Sequence, residues 1–169
     1  MPKRKVFYSF YFDDDVMRVQ QIRNMGVIEG DEPVSPNEWE KIQKKEGGVK
    51  KWIDDNMAQR SCVVVLVGEN TASRPWVKYE IEKAWNDKKG LLGIYIHNLS
   101  CPKKTKATGS GTCKQGKNPF DDFTFTEDPN KGKKLSTVVK CHNPKSSDAY
   151  NDIKNNIGDW IEEAIEQRA

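Results

Sequence analysis

The chain has 169 residues, 31% of them charged and 36% hydrophobic, and a formal net charge of +3. That length supports one compact domain with a sizeable core, and so small a positive excess gives no ground for a nucleic-acid-binding surface. No apolar run approaches the roughly 20 residues needed to cross a bilayer, and the opening "MPKRKVFYSF" has no small-residue cleavage site, so we expect no signal peptide and a cytoplasmic location.

The first predicted element is "KVFYSFYF" (5–12), almost continuously apolar, as a strand covered on both faces is. "DDVMRVQQIRNM" then places Val16, Val19 and Ile22 at helical spacing, and "MGVIEG" (25–30) reads as a weaker strand. "SPNEWEKIQ" opens with Ser35, Pro36 and Glu38, the pattern of an N-cap, a first-turn proline and a capping-box glutamate. Gly47 and Gly48 interrupt that helix, and "VKKWIDDNM" resumes the pattern with Val49, Trp52, Ile53 and Met57. "CVVVLVG" (62–68) is a second buried strand. "TASRPWVKYEIEKAW" (71–85) follows as a helix, with Ser73 as its expected cap. "LLGIYIHNL" (91–99) is the third long strand.

Residues 100–147 are rich in Lys, Gly, Ser, Thr, Asn and Pro, with an aromatic island "NPFDDFTF" and a strand candidate "LSTVVK". We read them as an inserted, solvated loop and hairpin, since no aromatic residues interleave with the lysines as a nucleic-acid surface would require. The last stretch, 148–167, carries Ile153, Ile157, Trp160, Ile161, Ala164 and Ile165 on one face and should dock as a closing helix. The whole chain, 1–169, thus reads as a single α/β domain with an open, mostly parallel sheet between helical layers. Ligands in such sheets bind beyond the carboxyl ends of the strands. Here that means Phe12 to Asp15, Gly68 to Thr71, His97 to Ser100 and the segment around Trp39.

Several chemistries are disfavoured. No strand is followed by G-x-G-x-x-G or G-x-x-x-x-G-K-[ST], and the "GSG" at 109–111 has Lys114 where a third glycine would stand. The acids Asp13, Asp14 and Asp15 follow the first strand as in a phosphoacceptor receiver, but no central strand ends in an aspartate. Helix capping accounts for at least one of these acids. Cys62, Cys101, Cys113 and Cys141, with His142, show no C-x-x-C pair and irregular gaps, so reduced thiols are expected and no metal. His97 sits where a pocket rim is expected, and a hydrogen-bonded structural role is its ordinary reading.

Glu80 is the exception to an otherwise hydrophobic pattern. On a helix, Trp76, Val77, Ile81, Ala84 and Trp85 share one broad face, and Glu80 falls inside it. A glutamate in that place can snorkel outward or pair with a buried cation. It can also serve as a partly desolvated carboxylate beside an aromatic surface, suited to holding a sugar and stabilising positive charge that develops on it. A lone carboxylate fits a reaction whose leaving group is already activated, as nicotinamide is in NAD+.

The segment "SRPWVKYEI" is similar to the W-x-x-x-E motif of enzymatic TIR domains, whose glutamate cleaves NAD+. More closely, the chain resembles the bacterial TIR-like proteins of the ThsB type from the Thoeris anti-phage system. The resemblance runs through "KVFYSFYFDDDVMRVQQIRNMGVIEG", "WEKIQKKEGGVKKWIDDNM", "SCVVVLVGENTASRPWVKYEIEKAW", "KGLLGIYIHNL" and "GKNPFDDF". It implies a flavodoxin-like TIR sandwich in which Glu80 is the catalytic residue and Trp76 helps shape the pocket. It further implies that Ser9 and Phe10 line the nucleotide site and that Trp39 contacts or gates the substrate. Tyr11 and Asp13, at the end of the first strand, join these as substrate-contact candidates. An aromatic or histidine is often found at the place of Tyr11, and the lysine-rich insertion has little counterpart. NAD+ would be substrate and no cofactor would be needed. The product would activate a separate ThsA-like effector, with room for a phage-derived trigger and for a homo-oligomer formed on activation. Two other readings remain open: a non-catalytic TIR interaction module, and a nucleoside deoxyribosyltransferase-like enzyme.

Overall fold

A computed structural model of the chain describes residues 5–11, 18–19, 21–25, 29–30, 41–99, 115–127 and 129–168. The sheet has five strands: β1 (Lys5–Ser9), β2 (Glu29–Gly30), β3 (Cys62–Val67), β4 (Gly90–Tyr95) and β5 (Cys141–His142). Their order is β2-β1-β3-β4-β5, and every neighbouring pair is parallel. This is the flavodoxin-like order expected from apolar strands alternating with helices. The weak "MGVIEG" signal is a real edge strand, in register Lys5↔Glu29 with β1.

Three longer helices are α1 (Gly48–Met57), α2 (Pro75–Asn86) and α3 (Ala149–Arg168), and residues 18–19, 21–23 and 41–44 are also helical. Gly47 precedes α1 with a left-handed φ of 68°, which permits the turn out of the preceding helical segment. Alternate strand residues feed two cores, because successive side chains point to opposite faces of a sheet. Val6, Tyr8, Val64, Leu66, Leu92 and Ile94 pack with Val19 and Ile22 and with Ile153, Ile157 and Ile161 of α3. Phe7, Val63, Val65, Val67 and Leu91 pack with Val49 and Ile53 of α1 and Val77, Ile81 and Ala84 of α2. All six residues of β3 are buried, as its run of valines requires. Among the described residues, no helix is long and apolar enough to cross a membrane.

Three expectations change in detail. "LSTVVK" is not a strand: Leu135–Thr137 form a 3-10 turn, and the fifth strand is the Cys141–His142 pair just after it. Ser73 does not cap α2. It sits in a 3-10 turn (Thr71–Ser73) and donates to the Asn70 carbonyl at 3.0 Å, leaving Arg74 as N-cap with no side-chain cap. The described part of the insertion is hairpin-like, through the antiparallel bridge Thr124↔Lys134, but it is not merely solvated. Phe120 is fully buried in the same core as α1 and α2, because its turn closes over the sheet.

That returning segment makes a close backbone approach. A Cβ placed on Gly116 would stand 2.0 Å from the Gly68 carbonyl oxygen, just beyond β3. Backbone cannot swing aside as a side-chain tip can, so Gly116→Ala should lower stability by about 1–3 kcal/mol. Thermal denaturation should show a Tm drop of roughly 3–10 °C, with exposed Lys117→Ala as the neutral neighbour control.

Candidate functional site

β1 carries Ser9, fully buried, on the same sheet face as Phe7. β3 ends at Val67, and the N–H of the next residue, Gly68, donates to Thr71 Oγ1 at 2.8 Å; this fixes the exit of the strand and starts the 3-10 turn. Pro75 then opens α2 at the one place where a missing N–H costs nothing. α2 buries Val77, Glu80, Ile81 and Ala84 against the sheet. Glu80 therefore lands on the end of β1, 6% exposed, where Ser9 Oγ donates to its Oε1 at 2.9 Å.

Burial pushes the Glu80 carboxyl from 4.5 up to about 8, against the opposing pull of the Ser9 hydroxyl. Desolvation dominates because one neutral hydroxyl replaces only part of the water shell a carboxylate needs. Neither alternative for a helical glutamate is realised: Glu80 does not snorkel out, and among the described residues no cation pairs with it. At neutral pH the resting group holds a proton.

Trp76 is not in the buried stripe. It is 42% exposed, at the edge of the α2 face that Glu80 occupies. Its ring meets Tyr79 edge-on at 5.7 Å, and the Tyr79 hydroxyl donates to Asp54 of α1 at 2.5 Å. Lys50 completes this clamp with a 3.0 Å ion pair to Asp54. The clamp holds a tryptophan open to solvent one turn from the buried acid. Sequence reasoning missed it, because Tyr79 and Asp54 lie 25 residues apart on different helices.

The structure brings together only part of the expected set. Ser9 and Glu80 meet where β1 ends against α2, Tyr11 lies two residues further on under Arg74, and Trp76 stands exposed one turn before Glu80 on the same helix. Phe10 packs in the core on the opposite side of the sheet, as a residue adjacent to Ser9 must. Asp13 and Trp39 lie outside the described residues. His97 follows β4, edge-on to Tyr95 at 6.1 Å. Its buried Nδ1 has no hydrogen-bond partner among the described residues, and burial with nearby Arg18 lowers its pKa. A cavity of about 340 Å³ lies elsewhere, lined by Leu92, Lys140, His142, Trp160 and Glu163. The residue sequence reasoning passed over at the site is Arg74, whose guanidinium lies 3.8 Å above the Tyr11 ring.

A parallel sheet in this order, with a buried glutamate four residues after a tryptophan on the helix following β3, defines a flavodoxin-like TIR domain. The chain belongs to the family "Thoeris protein ThsB, TIR-like domain", whose model matches residues 7–100. It is also 29% identical over 124 residues to "Putative cyclic ADP-D-ribose synthase ThsB1" of Bacillus cereus (strain MSX-D12). That match takes in 70% of this chain and 62% of the relative, so the chain spans less than two thirds of that protein.

The buried acid has a consequence for stability. Unfolded, Glu80 titrates near 4.5; folded, at about 8. Between these values the folded state holds a proton that the unfolded state has lost, so its stability falls as pH rises. Glu80→Gln removes that dependence. Melting curves should show the variant gaining on the parent between pH 5 and pH 8.5, by roughly 5–10 °C. A gap that stays constant with pH would contradict a desolvated carboxyl at this position.

Proposed function

We propose that this chain is a TIR-domain NAD+ nucleosidase and cyclase. It breaks the nicotinamide–ribose bond and makes a cyclic or conjugated ADP-ribose signal in bacterial anti-phage defence. The single observation behind this reading is Glu80, a carboxyl buried at the carboxyl edge of the sheet and, among the described residues, held only by a serine hydroxyl. The name of the Bacillus cereus relative supports the product class.

Nicotinamide in NAD+ carries positive charge. When that ring enters the site beside Glu80, ionisation of the carboxyl becomes favourable, because an opposite charge at close range offsets the lost hydration. The C1′–N bond then breaks and its electron pair neutralises the departing nicotinamide. Positive charge moves to the ribose ring, where Glu80 stabilises it. A lone pair from the same molecule, or from another acceptor, forms the new bond to C1′. Where that acceptor is a hydroxyl, its proton passes to Glu80. Ser9 keeps the carboxylate oriented, Trp76 and Tyr11 offer aromatic surfaces to the bases, and Asp13 and Trp39 are further contacts. Phe10 supports from the far core. NAD+ is substrate here and no separate cofactor is required. The reading places the reaction in the cytoplasm, with a ThsA-like effector answering the product, a phage-derived trigger and assembly of copies on activation.

Glu80→Gln keeps the shape and removes the charge, so nicotinamide release should fall at least about a hundredfold, with folding retained. In the active protein, kcat/KM for NAD+ should rise with pH through about 8, the value of free Glu80. The kcat profile should rise at lower pH, because bound cationic nicotinamide favours the carboxylate. Mass spectrometry of small molecules from infected cells expressing either protein supplies the decisive comparison. Equal signal from parent and variant would leave the fold as an interaction module.

A further inference from the structure

Arg74 precedes Glu80 by six residues, at the start of the same helix. A helix rises about 1.5 Å per residue, so the two lie about 9 Å apart along its axis. Arg74 reaches over the end of β1, and its guanidinium carbon stands 3.8 Å from the centre of the Tyr11 ring. Tyr11 is two residues beyond Ser9, so the stack and the Ser9–Glu80 pair sit side by side on one edge.

Two other arginines each spend a terminal donor on the protein. Arg168 makes the same kind of stack, over Trp85 at 3.6 Å, but it also donates to the Trp85 carbonyl at 2.8 Å. Arg18 donates to the Ile96 carbonyl at 3.1 Å. Arg74 is different: among the described residues no carbonyl and no carboxylate takes a hydrogen bond from its guanidinium, whereas its unpartnered buried Nε is shared with Arg18 and Arg168. The cation–π contact restrains the guanidinium, so a ligand that binds it pays less further entropy. The planar fork of an arginine matches phosphate oxygens two at a time. The first turn of α2 has no side-chain cap, so its amides add to the positive potential around the fork.

We propose that Arg74, held over the Tyr11 ring, anchors the diphosphate of a dinucleotide whose ribose faces Glu80. This deepens the nucleosidase reading above and makes Arg74 a positioning residue. The spacing along α2 suits it: a 5′-phosphate held at Arg74 leaves the ribose to extend down the helix towards the buried acid. Arg74 does not neutralise Glu80, whose environment is set by burial and Ser9, so the two act on different parts of one ligand.

The test measures binding, which does not depend on turnover. Calorimetric titration of ADP-ribose into the parent should give a Kd that rises about tenfold to a hundredfold in Arg74→Gln, the loss of one or two charge-assisted hydrogen bonds. Arg74→Lys should recover part of this. Adenosine, which lacks phosphate, should bind parent and variants alike. Lys78→Gln, an exposed charge on the same helix, should leave both affinities unchanged. Where nicotinamide release is absent but ADP-ribose binding still depends on Arg74, the anchor stands and the nucleosidase reading falls. Where NAD+ is cleaved but Arg74→Gln binds ADP-ribose as the parent does, the anchor falls alone. Absence of ADP-ribose binding to the parent, or an equal loss in Lys78→Gln, also overturns it.

Discussion

The bond between Ser9 and Glu80 ties the end of the first strand to the second long helix inside a space that excludes water. A carboxyl in such a place is costly, and the surrounding fold must bear that cost. It can do so because β1, β3 and β4 are buried on both faces, with two hydrophobic cores clamping the sheet. Val77, Ile81 and Ala84 press α2 onto that sheet, and their spacing leaves Glu80 facing inward with no freedom to turn out. The acid is thus fixed by its neighbours' packing more than by its own single hydrogen bond.

The parts of the architecture legible in the sequence were those set by periodicity. The apolar runs of β1, β3 and β4 and the isoleucine stripe of α3 are local patterns, each strong enough to define its element alone. Glu80 stood out for the same reason, as a break in a pattern. What stayed hidden depended on tertiary meetings. The Tyr79–Asp54 clamp and the Arg74–Tyr11 stack each join residues from separate elements, and no spacing rule announces them. Trp76 was misplaced because helical projection puts it next to Glu80 while only the sheet decides where the buried stripe ends. Ser73 lost its capping role to a 3-10 turn that Thr71 organises by accepting the Gly68 N–H.

The aromatic groups divide into two kinds. Phe7 and Phe120 are buried and serve the core, Phe7 tilted against Trp52 at 6.0 Å. Trp76 and Tyr11 lie at the carboxyl edge, each braced by a polar contact: Trp76 through the Tyr79–Asp54–Lys50 chain, Tyr11 beneath a guanidinium. Bracing matters because an exposed ring left free would lose entropy on meeting a ligand, whereas a ring already held loses little. The edge of the sheet is in this respect more prepared than its exposure alone implies.

The protonated resting state of Glu80 bears on selectivity. A neutral acid has little attraction for a neutral N-glycoside, and ionising it for such a ligand would bring back the full desolvation cost. A cationic ring changes the balance, since the charge it brings offsets that cost at the moment the carboxylate is needed. Once the ring departs as a neutral base, the charge remains on the sugar within reach of the same oxygen atoms. In the proposed reaction the carboxylate therefore stays paired from binding through bond cleavage, and no unpaired charge is buried at any stage. In this reading, burial itself discriminates between oxidised and reduced nicotinamide, because the two differ in the one property that a dry carboxyl detects.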